Sequence, residues 1–410
     1  MKFIHFSGLE KKLNCKDYKN ILLSCNSNEN YFNNYKYRKN FYISNFWHKN
    51  QKKLKKKVLI FRKILLRQLK NNLNSLHNIN YSIDDWEILL EPWLNNYLQT
   101  SYFRWLIVDD LIKKFGNFKY LEISTNKIVP AFDTLQFSEF DHKHDVFNHL
   151  NYQDILKFRN KDKNKVILKK INFKLDNNEF IHVIYNRIKK NFFFNLYEIL
   201  LEKLFKIEIL INIKTKKSNF LKLCNKLKVF PFKGLNVFDR SKLINICNKK
   251  TFSNQKRNKF SFPLKAKNNF DNYILKRINF DIPRVFIENF HDVINLHHNR
   301  LENVKFVITD TMHEYNSIFK SWLVTKKRKS KNFKIFSSNH GGTYGTNLKI
   351  FDYNKINSFS NINYSKKISN NQINLPCLFI SKNRKKNSKK ILIITHDNSK
   401  YPSNFFKTTI

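Results

Sequence analysis

Apolar residues recur at spacings of three and four along residues 51–76, which is the period of an amphipathic helix. The repeated positions are Leu54, Val58, Phe61, Leu65 and Leu69. The opposite face carries lysine and arginine from Lys52 to Lys70. Such a helix can lie on a membrane surface or pack within a domain with its basic face in solvent, and we favour the second interpretation.

A second helix is predicted to begin at Ser82, because Ser82 and Asp85 have the spacing of a helix-capping pair. A continuous apolar stripe rich in tryptophan follows, and we interpret it as core packing. Pro92 lies within this stripe and predicts a kink or a boundary, with a further helical stretch over residues 101–115. Arg104 is the one member of the stripe that could reach a cleft.

Residues 281–345 alternate between helix and strand. Asp281 and Pro283 are typical of a helix start, and the apolar spacing continues that helix to about Asn299. Two short apolar strands and an intervening helix are then predicted at Val304–Thr309, Phe333–Phe336 and Met312–Val324 respectively. A helix between two strands is typical of a right-handed parallel crossover. We therefore expect both strands in one parallel sheet, with their carboxyl ends at one edge.

Side chains with useful chemistry follow both of these strands. Thr309 and Asp310 end the first strand, and the second is followed by Asn339, His340, Gly341, Gly342, Thr343, Tyr344 and Gly345. Ligands of open parallel sheets bind beyond the carboxyl ends of the strands. Glycines let backbone amides approach a phosphate, and a histidine beside them can act as a general base or donate to a phosphate oxygen.

The simpler interpretation of this segment is a glycine-rich turn with an incidental histidine. We favour the functional interpretation, because three of the 6 glycines in the chain fall within the five residues 341–345. The motif is neither the dinucleotide-binding fingerprint nor a P-loop.

The composition excludes a disordered chain, since 41% of the 410 residues are hydrophobic and 15% are aromatic. The formal net charge is +46, but 64 of the 77 basic residues are lysine, whereas proteins that read nucleic acid favour arginine. We interpret most of this charge as the drift of an AT-rich genome and expect no nucleic-acid partner. No apolar run approaches the roughly 20 residues of a membrane span, and five dispersed cysteines favour a reduced, cytoplasmic compartment.

The segment from Asp141 to Asp145, with His149, resembles a metal-ligand cluster because it holds an H-x-H pair between carboxylates. It lacks a third, well-spaced ligand, so we favour a solvated loop that enters a helix near 146–158. The cleft region contains no D-x-D pair, and we expect a reaction without a metal. Residues 160–280 hold apolar runs at Phe180–Ile188, Phe192–Leu204 and Ile207–Ile213, without a chemical motif.

Taken in order, several segments resemble those of a known family. They are Leu73–His77, Trp86–Leu94, Ile282–Glu288, Ile308–Thr309, Phe319–Trp322 and His340–Gly345. They resemble the LIC-type transferases, whose members occur in bacterial gene clusters for surface polysaccharides (lipopolysaccharide and capsule). The resemblance spans about residues 60–400.

This resemblance implies a GT-B-like α/β fold: a Rossmann-like parallel sheet with a helical amino-terminal elaboration, and a second Rossmann-like domain. It implies transfer of a sugar or related unit from a nucleotide-activated donor to a surface-polysaccharide or lipid-linked acceptor, without a tightly bound cofactor. The His-Gly motif is similar to that of the CDP-glycerol glycerophosphotransferases, where the histidine works at the cleft between domains. By this likeness His340 is the candidate base or phosphate contact, in a loop shaped by Gly341, Gly342 and Gly345.

Family members run on well past the length of this chain. We expect residues 1–385 to form the acceptor-side domain and residues 386–410 to begin a donor-binding domain, because Lys390–Thr395 has the pattern of a first strand. The chain is therefore expected to be truncated, which puts its activity in doubt.

Two functions of different classes remain open. The first is a cytoplasmic glycosyltransferase-like enzyme, which could also touch the inner face of the plasma membrane. In it Arg284 and Lys320 neutralise phosphate charge, Glu288 and Asp310 bind hydroxyls or move protons, and Thr309, Thr343 and Tyr344 help to bind substrate. Arg284 and Glu288 lie one helical turn apart and could simply pair with each other. The second is a non-catalytic basic protein that binds nucleic acid or an anionic membrane.

Overall fold

The protein, described here by a computed structural model, is a mixed α/β protein whose described residues form two parallel sheets. The structure describes residues 2–7, 19–23, 41–42, 46–116, 118–123, 130–160, 192–213, 217–232, 237–243, 246, 252–338, 359–363 and 372–374. The His-Gly segment 339–345, the run Phe180–Ile188 and the strand predicted at Lys390–Thr395 lie outside these residues.

The helices of the described residues are α1 (Phe46–His77), α2 (Ile83–Phe115), α3 (Thr134–Lys143), α4 (Asp145–Asn160), α5 (Phe192–Leu204), α6 (Lys217–Lys226), α7 (Asn254–Arg257), α8 (Asn269–Asp281), α9 (Phe290–Asn295), α10 (Met312–Tyr315) and α11 (Ser317–Lys329), with a 3-10 turn at Arg284–Phe286. The strands are β1 (Lys2–His5), β2 (Lys19–Leu23), β3 (Phe41–Tyr42), β4 (Lys119–Tyr120), β5 (Ile209–Asn212), β6 (Phe306–Thr309), β7 (Lys334–Ser338), β8 (Ser360–Asn363) and β9 (Gln372–Asn374).

The larger sheet has the order β5-β6-β7-β8-β9, and every neighbouring pair in it is parallel. β6 and β7 pair in register from Phe306 with Lys334 to Thr309 with Ser337. This confirms the predicted parallel crossover, since α11 fills the connection between the two strands. The smaller sheet, with the order β3-β2-β1-β4, is also parallel.

Helix α1 packs along α2, and its apolar stripe faces the core. Val58, Leu65 and Leu69 are at most 3% exposed. This burial supports the interpretation of α1 as a domain helix, because a helix lying on a membrane would present these side chains to lipid. None of the described helices combines the length and the apolar character that a membrane span requires.

Helix α2 begins at the predicted cap. The Ser82 hydroxyl accepts from the Asp85 backbone N–H at 3.2 Å, and the Asp85 carboxylate accepts from the Ser82 N–H at 2.8 Å. Of the two predicted outcomes at Pro92, the boundary is wrong, because α2 continues as one helix across it, and the kink stays a prediction. Proline removes one helical hydrogen bond, but α2 is buried over most of its length, and that packing outweighs the local cost.

The helix predicted to start at Asp281 is also wrong. Asp281 ends α8, a 3-10 turn follows at Arg284–Phe286, and only the short α9 remains helical before Asn299. The Arg257 guanidinium explains this ending, because it donates to the backbone carbonyls of Asn279, Phe280 and Ile282 at 2.8 to 3.0 Å. Those carbonyls are the unpaired acceptors that every helix leaves at its end.

Candidate functional site

Buried polar side chains gather where β6 and β7 end. Thr309 and Asp310 close β6, and Ser337 and Ser338 close β7; all four are at most 2% exposed. Thr309 is the direct neighbour of Ser337 in the parallel register. This edge is the carboxyl edge of the sheet, where ligands of parallel sheets bind, and it is where the sequence predicts a cleft.

Asp310 is held at this edge by its neighbours. Its backbone N–H donates to the Asn212 carbonyl at 3.3 Å, which ties it to the end of β5. Its carboxylate accepts from the Thr311 hydroxyl at 3.1 Å. The predicted residues that follow β7, from His340 to Gly345, lie outside the described residues, and their roles stay predictions.

His313 lies in α10, one turn after Asp310, and sequence analysis missed it. Its ring is fully buried and meets the ring of Phe359 edge to face at 5.5 Å, just ahead of β8. Neither ring nitrogen has a hydrogen-bond partner among the described residues. Burial, with Lys320 nearby, lowers the pKa of His313 to about 3. The imidazole is therefore neutral, with one donor and one acceptor nitrogen to satisfy.

Two hydroxyls near His313 in the chain share this property. The Thr309 Oγ1 and Ser317 Oγ atoms are buried and have no hydrogen-bond partner within the described ranges. Buried polar atoms without partners are rare in folded proteins, because each costs free energy unless a water or a ligand satisfies it. A sequence signal for this part of the chain existed, since Thr309, Asp310 and His313 lie within five residues at the end of one strand.

Lys320 lies in the interior and its ammonium group has partners. Its Nζ donates to the Leu89 carbonyl at 2.9 Å and to the Thr134 hydroxyl at 3.1 Å, and it lies over the Phe286 ring at 5.5 Å. Burial lowers the pKa of Lys320 to about 7, against the opposing effect of Asp133. Lys320 therefore joins α2, α3 and α11 from the inside, and its side chain is 0% exposed.

Arg284 borders the same segment as Lys320. Its backbone N–H donates to the Ala131 carbonyl at 3.0 Å, and its guanidinium lies over the Phe132 ring at 5.6 Å. Asp133, the next residue, binds Arg240 at 2.6 Å. The structure thus gathers two of the predicted cations, Arg284 and Lys320, around residues 131–134.

Glu288 has a partner that the sequence did not predict. Its two carboxylate oxygens accept from Arg257 Nε and Nη2 at 2.8 and 2.9 Å, and the backbone N–H of Ser253 donates to it at 3.2 Å. This bidentate ion pair is almost fully buried. Glu288 therefore helps to fix the turn after α8 through Arg257.

The solvated loop predicted near Asp141 is wrong, because Thr134–Lys143 and Asp145–Asn160 are helices and Asp141, Asp145 and His149 are buried. In the interior, Arg104 Nη2 donates to the Asp141 carboxylate at 2.7 Å and to the Asn148 side-chain oxygen at 2.5 Å. Within the ranges described above, no group of three or more His, Cys, Asp or Glu side chains is arranged to hold a metal ion. Arg104, which the sequence analysis could place at a cleft, is a core residue 2% exposed.

A cavity of about 200 Å³ lies at the opposite edge of the sheet. His297, Arg300, Trp322 and Lys326 are among its lining residues, and they precede the amino ends of β6 and β7. It is therefore separate from the carboxyl edge, and we do not count it as part of the candidate site.

Comparison with known proteins gives one match. The family model described as LIC12162 family transferase matches residues 2–409 of the chain. No curated protein and no solved structure matches it. Since the family model covers nearly the whole sequence, including the α2 segment and the carboxyl edge of β6 and β7, the chain belongs to the LIC12162 family of transferases.

Proposed function

We propose that the protein transfers a sugar or a related unit from a nucleotide-activated donor to a surface-polysaccharide or lipid-linked acceptor. Membership of a transferase family supports the reaction class. The observation that carries the location is the parallel register of β6 and β7, which brings Thr309 and Asp310 beside Ser337 and Ser338. His340 follows Ser338 by two residues in the chain.

In this proposal the architecture is GT-B-like, and the reaction is a displacement at the sugar. An acceptor hydroxyl gives its proton to His340, and its oxygen forms a bond to the anomeric carbon of the donor. The bond from that carbon to the diphosphate oxygen breaks, and the nucleoside diphosphate leaves with the electron pair. Backbone amides at Gly341, Gly342 and Gly345 hold the phosphates, as anion-binding loops do.

The neutral imidazole of His313 gives the proposed site a second group that can bind the substrate. Its nitrogens have no partner in the described part of the chain. They can hydrogen-bond a water before the substrate arrives, and hydroxyls of the sugar once that water is displaced. Asp310, one turn earlier, adds a carboxylate at the same edge. These groups suit a polyhydroxylated substrate better than an apolar one.

The test combines binding with turnover. A thermal-shift panel of nucleotides, nucleotide sugars and CDP-glycerol, at low and high salt, is expected to show one selective, salt-resistant ligand. Hydrolysis or transfer of that donor should fall at least about 100-fold in His340→Ala, since general-base catalysis contributes about that much or more. The matched control is His298→Ala, because His298 is an exposed histidine near the opposite edge. Undiminished turnover in His340→Ala contradicts the proposed role, and uniform, salt-sensitive binding of every polyanion contradicts the proposed function.

A further inference from the structure

Exposed apolar side chains are concentrated in one stretch of the chain. Nine large apolar side chains are exposed among the described residues, and six of them lie between positions 199 and 227. The six are Ile199, Leu200, Leu204, Phe205, Leu221 and Leu227. Leu204 is 66% exposed and Leu200, one helical turn earlier, is 53% exposed. Isolated exposed leucines need no explanation, but a cluster of this kind marks an interaction surface.

The end of α5 and the turn after α6 lie together at one end of β5. Helix α5 leads into β5, which is an edge strand of the larger sheet among the described residues, and α6 follows β5. A turn with a left-handed residue at Lys228 (φ 51°) comes after α6. It returns the chain so that the Phe230 ring stacks on Phe205 at 4.3 Å. The end of α5 and the turn after α6 therefore meet, which brings Leu204, Phe205 and Leu227 to the same side of the molecule.

Lysines surround this apolar surface. Lys203, Lys222, Lys226 and Lys228 are exposed among the apolar residues, and residues 209–232 contain no aspartate or glutamate. The two partly exposed glutamates nearby are already engaged. Glu202 binds Arg300 at 2.8 Å, and Glu208 binds Lys305 at 3.1 Å. The surface thus combines exposed apolar groups with uncompensated positive charge.

We propose that this surface, formed by the last turns of α5 and the turn after α6, binds an anionic lipid bilayer. Leucine and phenylalanine side chains insert among the acyl chains, and the flanking lysines attract the lipid phosphates, which is how peripheral amphipathic helices bind membranes. A second copy of the chain is a poor occupant, because pairing this face with itself would bring the surrounding lysines of the two copies together. The proposal goes beyond the proposed function and does not depend on it, since no step of it involves catalysis.

The charge alone does not carry this inference, because lysine is abundant throughout the chain. The distinguishing feature is that exposed apolar residues and lysines coincide. Helix α1 provides the contrast: it is also basic on one side, but its apolar stripe is buried in the core.

The experiment measures co-sedimentation of the full chain with vesicles. One set contains phosphatidylglycerol and phosphatidylcholine, and the other contains phosphatidylcholine alone. We expect binding to the anionic vesicles only, weakened by high salt because the lysine contribution is screened. The double variant Leu200→Ser/Leu204→Ser should lower the apparent affinity by about tenfold or more, since two buried leucines are lost from the bilayer.

The matched control is Ile60→Ser, an exposed apolar residue on α1 that is 49% accessible. It should bind vesicles as the parent does, and so should His340→Ala, which separates this proposal from the proposed function. Both substituted leucines are exposed, and circular dichroism would verify that the variants fold. Equal binding to neutral vesicles, or unchanged binding by the double variant, overturns the proposal. A dimer in gel filtration that the double variant abolishes also overturns it, in favour of a second copy.

Discussion

At the scale of single residues, Lys320 places an ionisable amine in the protein interior. Its amine is fully buried and hydrogen-bonds one carbonyl and one hydroxyl. The titratable groups that face it are His313, whose pKa is lowered to about 3, and Asp133, which binds Arg240. Burial lowers the pKa of Lys320 from 10.5 to about 7. Since a lysine in the unfolded chain keeps its proton up to about pH 10, Lys320 links folding to pH.

The sign of this linkage gives a prediction for Lys320→Met. Between about pH 7 and 10.5, the unfolded state holds a proton on Lys320 that the folded state has released, so stability rises with pH. Below pH 7 both states hold it, and the full cost of burying the charge remains. The free energy of unfolding of the parent minus that of Lys320→Met should therefore increase by about 2 kcal/mol from pH 7 to pH 9.

Urea unfolding at the two pH values measures this difference for Lys320→Met. Lys329→Met, at the exposed end of the same helix, is the control and should follow the parent at both pH values. A difference between parent and Lys320→Met that stays constant with pH would contradict the linkage, whatever its size.

At the scale of elements, the short-range patterns were predicted and the long-range contacts were not. The strands β6 and β7 were predictable because each is a short apolar run beside a helix that closes a parallel crossover. The end of α8 was not, because Arg257 binds carbonyls that lie 22 to 25 residues away. The same limit applies to the site: the sequence identified Thr309 and Asp310, but the burial of His313 depends on Phe359, which is 46 residues later.

The amino-terminal cap of α2 allows a direct test at this scale. Ser82→Ala removes the hydroxyl that accepts from the Asp85 N–H, so one N–H at the start of the helix loses its acceptor. We expect the free energy of unfolding to fall by about 1 kcal/mol. Ser82→Thr keeps the hydroxyl and should retain most of the stability. Chemical denaturation of both variants measures the effect, and equal losses in Ala and Thr would show that the hydroxyl is not what stabilises α2.

At the scale of the whole molecule, one apolar core joins the two sheets. Ile4 and Phe6 from the region of β1, and Val307 and Ile335 from β6 and β7, belong to the same cluster of buried side chains. Helices α1, α2 and α11 contribute Leu65, Trp93 and Trp322 to it. Because a single core of this kind cannot be opened in one part without exposing the rest, the two sheets are expected to unfold together. The extent of that domain over residues 1–385 stays a prediction.

The last prediction follows from that shared core. Thermal unfolding should be one transition, with coincident midpoints for far-ultraviolet circular dichroism and tryptophan fluorescence, and with equal calorimetric and van't Hoff enthalpies. Leu65→Ala, which empties a fully buried position between α1 and α2, should lower the whole transition without splitting it and cost about 2–5 kcal/mol. Two separate transitions, or a Leu65→Ala effect limited to one of them, would mean that the sheets belong to independently folding units. The carboxyl edge of β6 and β7 would then depend for its geometry on its own unit alone.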